Sequence, residues 1–193
     1  TKKINLMEEE LELVFESTKD DMDRAITHME KSLLKIRAGR ASASMLDSVM
    51  VEYYGAPTPL AQVSNVNTPD ARTISIQPWE KSIIPDIERA IINAGLGFNP
   101  MNNGESVIIS VPPLTEERRR ELAKMAKAES ESAKVGVRAA RKSAMDELKK
   151  MGNDGLSEDL RKDSENDIQK MTDEYIAKCD AMFAKKENDI MTV

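Results

Sequence analysis

The chain has 193 residues, of which 32% are charged and only 4% aromatic, and its formal net charge is −6. This length suits one domain or two small ones, and abundant methionine with few glycines and prolines is typical of long solvated helices packed through aliphatic side chains. Cys179 is the only cysteine, which excludes an internal disulfide and a cysteine cluster for zinc.

The first predicted element is a long amphipathic helix that reaches about residue 38. Its apolar residues recur at steps of three and four, with one longer gap: Leu11, Val14, Met22, Ile26, Met29, Leu33 and Ile36. Glycine often follows the last turn of a helix, so Gly39 is the expected end of this one.

Residues 49–111 show the patterns of short strands and turns. β-Branched and aromatic residues predict a strand from residue 49, and the Gly- and Pro-rich residues 55–59 predict a turn after it. Further strands are predicted at 62–66, 72–77 and 106–111, with turns at 69–70 and 102–104. A short helix is predicted over 85–94, with Ile87, Ile91 and Ile92 facing inward.

Two more long helices follow the last strand. Pro112 and Pro113 end that strand, and Thr115 is the expected N-cap of a helix that runs to about residue 151. Glycines at 152 and 155 break it, and Ser157 is expected to cap the third helix. The inner face of the third helix is predicted to carry Leu160, Ile168, Met171, Tyr175, Cys179 and Met182. Three helices can pack together only if the chain leaves the bundle for the insert and returns, which predicts two domains joined by two crossings.

Charge is distributed unevenly along these elements. Residues 115–151 hold eleven Lys and Arg against seven Asp and Glu, a net charge of +4. Residues 1–36, 37–114 and 152–193 are net negative, by 3, 2 and 5 charges respectively. Because phosphate binding depends on local cation density, the overall acidity of the chain does not exclude a nucleic-acid partner for the basic segment.

The second long helix separates its residues into two faces when each is placed about 100° after the one before. One face predicts a buried stripe: Leu122, Ala126, Ala133, Val137, Ala140, Ala144, Leu148 and Met151. The other collects cations within about 60° of a single line. We call this set the cationic ridge: Arg120, Lys124, Lys127, Lys134, Arg138, Arg141, Lys142 and Lys149.

The cationic ridge has two interpretations at this point. A charge run on a helix is in general a solvated face, but such faces intersperse Glu with Lys, whereas this one is interrupted chiefly by Glu131 and Met145. Charge of one sign along one line suits a phosphate backbone, which proteins bind by position and charge. Few, dispersed aromatics argue against stacking on a single strand and favour folded RNA.

Other chemistries lack support in the sequence. His28 is the only histidine, with no Ser, Cys or Asp motif beside it, so a surface or partly buried histidine is favoured over catalysis. Gly95 and Gly97 are not followed by the residues of a phosphate-binding loop, and Asp20–Asp23 lies within a helix, where it cannot wrap calcium. We therefore expect neither catalysis nor a metal or other cofactor.

The sequence also predicts the compartment. No apolar run approaches the ~18–20 residues of a membrane helix, and the acidic start is neither a signal peptide nor an Arg-rich transit peptide. We expect a soluble protein of the bacterial cytoplasm, or of an organelle matrix if a transit peptide had been removed.

Four stretches of the chain carry a specific resemblance. They are Ile36-Arg37-Ala38-Gly39-Arg40-Ala41-Ser42 leading to Met45-Leu46-Asp47, Val51-Glu52-Tyr53-Tyr54-Gly55 with Pro57 and Pro59, Pro112-Pro113-Leu114-Thr115-Glu116-Glu117-Arg118-Arg119, and Lys186-Glu187. In this order they resemble the signature stretches of the ribosome recycling factors. Their order and spacing extend across nearly the whole chain.

The resemblance implies an α+β fold, L-shaped overall. Residues 1–36 and 114–193 would form a long antiparallel three-helix bundle, and 37–113 an inserted small β/α/β domain, with hinges at 37–42 and 111–115. The implied hinge residues are Arg37, Gly39, Arg40, Pro112, Pro113, Leu114 and Thr115. Gly39 can equally be a plain helix terminator and Pro112-Pro113 a plain strand stop.

The resemblance also implies which residues bind RNA. The arginine-rich stretch of the family falls on Arg138, Arg141 and Lys142, inside the cationic ridge. The expected RNA-binding set is Arg118, Arg119, Lys127, Lys134, Arg138, Arg141 and Lys142. Three positions depart from the family pattern: Ala139 stands for asparagine, Lys142 for arginine and Ala43 for proline. Lys142 keeps the charge but loses the fork geometry of arginine.

The function implied is that of a monomeric, non-enzymatic translation factor. It would bind the post-termination ribosome through large-subunit RNA and, with elongation factor G and GTP, promote dissociation into subunits and release of mRNA and tRNA. The alternative from another class is a helical adaptor whose ridge meets an acidic protein, and a salt-dependent affinity for ribosomes would separate the two. An enzyme acting through the insert would need a paired acid and base, which the sequence does not show.

Overall fold

A computed structural model describes residues 2–37 and 39–192 of the chain. The helices are α1 Lys2–Leu34, α2 Leu60–Val63, α3 Ile84–Asn93, α4 Glu116–Asn153 and α5 Glu158–Met191, with short 3₁₀ turns at Ala43–Leu46 and Lys81–Ile83. The strands are β1 Met50–Tyr53, β2 Ala56–Pro59, β3 Ser64–Asp70, β4 Thr73–Pro78, β5 Pro100–Asn102 and β6 Val107–Ser110. No helix in the described part of the chain is long and apolar enough to cross a membrane.

The chain forms two compact units. The first, which we call the bundle, contains α1, α4 and α5; the second, which we call the insert, is Gly39–Thr115. Three long helices and a small β-rich unit confirm the predicted α+β class.

Small side chains let the bundle helices approach one another. Along α4 the whole predicted stripe is buried, and Ser130 joins it. Its alanines pack against large residues of the other two helices, Met22 of α1 and Tyr175 of α5 among them. A Cβ atom placed on Gly136 of α4 would lie 3.3 Å from the Cβ atom of Ala25 in α1, so the two backbones are close at this level.

The ends of the bundle helices differ in part from the prediction. α1 ends at Leu34 rather than near residue 38, because the amide of Ile36 bonds to the carbonyl of Leu33 at 3.1 Å, a tighter turn than that of an α-helix. Gly39 is therefore not the residue that terminates it, and Ala38 lies outside the described residues. Ser157 caps α5 as predicted, since its hydroxyl accepts a hydrogen bond from the amide of Leu160 at 3.2 Å.

Leu160 itself does not face the bundle core, contrary to the prediction, and is 41% exposed. The buried stripe of α5 runs through Ser164, Ile168, Thr172, Tyr175 and Cys179. At about 100° per residue, Arg161 lies roughly 20° from the centre line of that stripe, whereas Leu160 lies roughly 80° from it. The aliphatic stem of Arg161 covers Gly152, where an added Cβ would lie 3.0 Å from its Cδ atom.

The insert contains a two-stranded sheet, β1-β2, and a four-stranded antiparallel sheet in the order β3-β4-β6-β5. Alternate residues of the two central strands point into its core, namely Ile74 and Ile76 of β4 and Val107 and Ile109 of β6. Ile87 and Ile91 of α3 are fully buried against them, whereas Ile92, predicted to face inward, is 62% exposed.

Two turn predictions and two strand predictions in the insert differ from the structure. Residues 56–59 form strand β2, which pairs with β1 through a two-residue turn at Tyr54 and Gly55, both with positive φ. The predicted strand 62–66 begins only at Ser64, after the short helix α2, and continues through the predicted turn at 69–70. The sequence did not predict β5, the edge strand beside β6.

Candidate nucleic-acid interface

The residues of the cationic ridge lie on the side of α4 that includes its seam with α5. Seven of the eight ridge residues form two sets with different surroundings, and Arg120 stands apart from both. Lys134 and Arg141 lie at the seam and are partly shielded. The exposed members that have no ion pair or side-chain hydrogen bond with another described residue, which we call the open cations, are Lys124, Lys127, Arg138, Lys142 and Lys149. Along the helix axis they span about 38 Å, at 1.5 Å for each of 25 residues.

The seam residues are held by partners on α5. The Nζ atom of Lys134 lies 2.5 Å from Oδ1 of Asp180 and 3.7 Å from Oε1 of Glu131. The hydrogen bond to Asp180 is the largest cause that raises the pKa of Lys134. Arg141 donates from Nε to the side-chain oxygen of Gln169 at 2.7 Å, and Gln169 in turn donates to Asp173. These two cations therefore join α4 to α5.

The open cations have no ion pair or side-chain hydrogen bond with any other residue in the described ranges. Arg120, at the start of the ridge, differs from them because its Nη2 atom lies 2.6 Å from Oε1 of Glu116. Unpaired cations on one line of a helix repel one another, and only water or an anionic partner offsets that repulsion. The open cations are the part of the ridge that is available to phosphates.

Arg118 and Arg119 are not on the ridge. Arg118 lies roughly 160° around α4 from Arg138 and places Nη1 2.8 Å from Oε2 of Glu121. Arg119 lies on the side of the buried stripe and is half-buried, and its Nε atom is buried with no hydrogen-bond partner in the described part of the chain. The structure does not bring these two arginines together with the other five predicted RNA-binding residues.

The predicted hinge residues lie where the chain enters and leaves the insert. The entering segment and the leaving segment are both hydrogen-bonded to the turn between β3 and β4. The amide of Ala41 bonds to the carbonyl of Ala71 at 2.8 Å, and the amide of Val111 bonds to the carbonyl of Arg72 at 2.7 Å. The segments also meet directly: Gly39 has φ of +73°, and a Cβ atom placed on it would lie 2.6 Å from Cγ of Leu114.

The remaining predicted hinge residues are exposed. They are Arg37, Arg40, Pro112, Pro113 and Thr115. Proline fixes its own φ and offers no amide proton, so Pro112 and Pro113 cannot extend β6 by further hydrogen bonds.

Other candidate centres have structural roles. Tyr175 donates its hydroxyl proton to Oδ1 of Asp23 and thereby joins α5 to α1, and burial is the largest cause that raises its pKa to about 12. Burial also raises the pKa of the Cys179 thiol, which disfavours the reactive thiolate. His28 is exposed, with Nδ1 3.4 Å from the Ser32 hydroxyl. Within the described ranges no group of His, Cys, Asp and Glu could hold a metal ion.

Comparison with known proteins gives a consistent match over nearly the whole chain. A family model described as "Ribosome recycling factor" matches residues 7–191. A ribosome-recycling factor of Christiangramia forsetii is 63% identical over 185 residues, covering 96% of this chain and all of the relative. One from Flavobacterium johnsoniae is 54% identical over 187 residues, covering 97% of this chain and all of the relative.

Solved structures give the same match. A solution structure of a ribosome recycling factor superposes with a TM-score of 0.70 at 36% identity, covering 95% of this chain and 98% of the other. A second match has a TM-score of 0.60 at 41% identity and covers 94% of this chain and 98% of the other. It is a model of the T. thermophilus ribosome recycling factor, described with the E. coli elongation factor G bound to the E. coli post-termination complex.

Proposed function

This chain belongs to the ribosome recycling factor family, and from that premise we propose that it binds the post-termination ribosome through large-subunit RNA held by the open cations of α4. With elongation factor G and GTP it then promotes dissociation into subunits and release of mRNA and tRNA. It works as a translation factor of the bacterial cytoplasm, as a monomer, and makes or breaks no covalent bond itself.

The observation that carries this proposal is the unpaired state of the open cations. Arg138, Lys142 and their neighbours gain no stabilising partner from the fold, although acidic residues are abundant elsewhere in the chain. Each cation that meets a phosphate releases condensed counterions, which is the main driving force of sequence-independent RNA binding. The arginine fork of Arg138 can contact one phosphate with two hydrogen bonds, whereas Lys142 acts as a point charge.

The seven predicted RNA-binding residues divide under this proposal. Lys127, Arg138 and Lys142 contact phosphates, and Lys124 and Lys149 join them. Lys134 and Arg141 serve first to hold α5 against α4, since both have partners there. Arg118 and Arg119 would meet RNA only if it also reached the start of α4, on another side of the helix.

We further propose that the insert moves relative to the bundle about the two chain crossings. The hydrogen bonds from Ala41 to Ala71 and from Val111 to Arg72 fix both segments to the insert up to those residues. The dihedral change would then fall on residues 37–40 and 112–115, a narrower range than the sequence predicted. Hinges are commonly a few residues at the ends of elements.

Elongation factor G is the partner that would supply the force. The solved model described with elongation factor G on a post-termination complex supports this partner for a close structural relative. GTP would be hydrolysed by the partner, since no phosphate-binding loop is present in the sequence of this chain.

The test is a subunit-splitting assay on purified post-termination complexes with elongation factor G and GTP. Arg138→Ala with Lys142→Ala should weaken ribosome binding roughly tenfold, about 1.4 kcal/mol, and slow splitting at subsaturating protein. Lys150→Ala is the matched control, because Lys150 is an exposed cation of the same helix that pairs with Glu147 away from the ridge. Normal splitting by the double variant, or no splitting by the wild type, would contradict the proposal.

A further inference from the structure

The bundle carries an open groove on the side of α4 away from the cationic ridge. A cavity of about 300 Å³ lies between α1 and α4, and its apolar residues include Leu13, Val14, Ala140, Ala144 and Met151. A second cavity of about 330 Å³ shares Asp21 with the first and continues along the same two helices as far as Gly136. We call the two together the α1–α4 groove.

The α1–α4 groove is apolar at its base because the α4 residues there are small. Ala140, Ser143 and Ala144 do not fill the space beside α1. Leu13 of α1 stands at the margin of the groove, and 62% of its surface is exposed. An exposed leucine beside an unfilled apolar cavity is surface that burial against a partner would stabilise.

The margins of the groove carry more acids than bases: Asp21 and Glu129 line the second cavity, together with Arg24 and His28. Glu10, Asp21 and Glu147 line the first cavity without any basic residue. They belong to a larger acidic surface, since residues 8–23 contain eight Asp and Glu and one Lys, a net charge of −7. Asp21 pairs with Arg24 and Glu147 with Lys150, but Glu10 has no ion pair with any residue that the structure describes.

We propose that the α1–α4 groove binds a basic amphipathic helix of a partner protein. Aliphatic side chains at i, i+3 or i+4 and i+7 of that helix would enter the groove beside Leu13, and its Lys and Arg residues would lie over Glu10 and the other acids. Helix-in-groove recognition has this pattern of anchors. The proposal goes beyond ribosome binding by α4 and does not depend on it.

The acidic margins favour a protein over a nucleic acid in this groove. A phosphate backbone placed beside Glu10 and Asp21 would meet charge of its own sign, whereas the open cations lie on roughly the opposite side of α4. The bundle could therefore hold RNA on one side and a basic protein segment on the other at the same time.

The test is an NMR titration of the isotope-labelled full-length protein with a designed 18-residue peptide that has leucine along one helical face and lysine elsewhere. A peptide of the same composition in scrambled order is the charge-matched control. We expect amide shifts confined to α1 and α4 around residues 10–21 and 140–151. Affinity for the ordered peptide should exceed that for the scrambled one at least fivefold.

Variants locate the binding surface. Leu13→Gln with Glu10→Gln should weaken peptide binding at least fivefold, and circular dichroism should show an intact bundle because both side chains are exposed. Glu12→Gln with Val135→Gln, exposed residues of the same two helices that do not line the groove, should leave binding unchanged. The proposal is overturned if both peptides bind alike, if neither binds, or if an RNA duplex shifts the groove amides instead.

Discussion

The Nζ atom of Lys134 lies 2.5 Å from Oδ1 of Asp180, so one cation of the ridge is already paired across the seam between α4 and α5. Only 15% of the Lys134 side chain is exposed, whereas 58% of the Asp180 side chain is. The aliphatic stem of the lysine therefore packs between the helices while its charge meets Asp180 at the surface. Sequence periodicity places Lys134 on the ridge, but its contacts are those of a residue that holds the bundle together.

Lys134→Met should separate a role of Lys134 in RNA binding from its role in holding α5 against α4. Methionine keeps an apolar stem but removes the charge, so the free energy of unfolding should fall by no more than about 1 kcal/mol, because water screens Asp180. Ribosome affinity should change much less than in Arg138→Ala. Urea denaturation and ribosome binding are the measurements. A loss of affinity equal to that of Arg138→Ala would mean that Lys134 leaves Asp180 to contact RNA.

Tyr175 predicts how stability depends on alkaline pH. Its pKa is raised to about 12 in the folded protein, against about 10 in an unfolded chain. Between these values the folded state keeps a proton that the unfolded state loses. The contribution of Tyr175 to the free energy of unfolding is therefore complete below pH 10 and is lost as pH rises toward 12. The free energy of unfolding falls by at most about 2.7 kcal/mol over this range.

Tyr175→Phe isolates this contribution, because phenylalanine keeps the packing and lacks the ionisable hydroxyl. The free energy of unfolding, measured by urea denaturation from pH 8 to 12, should fall less steeply for the variant than for the wild type. Every other titrating group is shared by the two proteins. Parallel pH profiles would show that burial and the hydrogen bond to Asp23 do not keep Tyr175 protonated.

Gly39→Ala should strain the chain where it enters the insert. Alanine disfavours a φ of +73°, and its Cβ atom would lie 2.6 Å from Cγ of Leu114, closer than carbon atoms approach. We expect a loss of roughly 1–2 kcal/mol in unfolding free energy, with ribosome binding retained because the open cations belong to α4. Slower subunit splitting would support a role of this segment in the hinge.

Leu114→Ala provides the matched test of that contact. Removing the leucine side chain relieves the clash but not the backbone strain, so the double variant should recover part of the stability lost by Gly39→Ala. A double-mutant cycle from thermal unfolding measures the coupling. Strict additivity would show that the chain moves away from Leu114 and that the strain is in the backbone alone.

Much of the fold could be predicted from local patterns, and the errors have physical causes. The stripe of α4 follows from one period over a long helix, and every predicted member is buried. Strand β2 was missed because Pro57 and Pro59 are typical of turns. Both prolines fit here because β2 pairs only with β1, and the unpaired edge of a strand needs no amide donors. Leu160 was misplaced because Arg161, which is only partly buried, lies on the line of the stripe and covers Gly152 with its aliphatic stem.

The candidate site could be predicted only in outline. The position of the cations on α4 follows from its own periodicity, but their availability depends on where α5 lies. Asp180 and Gln169, which engage Lys134 and Arg141, are ordinary polar residues of α5 with no local signal. Their spacing of eleven residues, three turns of a helix, could have suggested one face. It could not have shown which cations they meet.

The most direct test of RNA binding by the open cations is the salt dependence of ribosome affinity. The dissociation constant of the wild type, of Arg138→Ala with Lys142→Ala, and of the control Lys150→Ala is measured from low to moderate salt. Each phosphate contact contributes about 0.7–0.9 to the log–log slope, so the double variant should lose about 1.4–1.8 of it and the control none. Equal slopes for the double variant and the wild type would contradict RNA binding by Arg138 and Lys142, whatever their effect on affinity at one salt concentration.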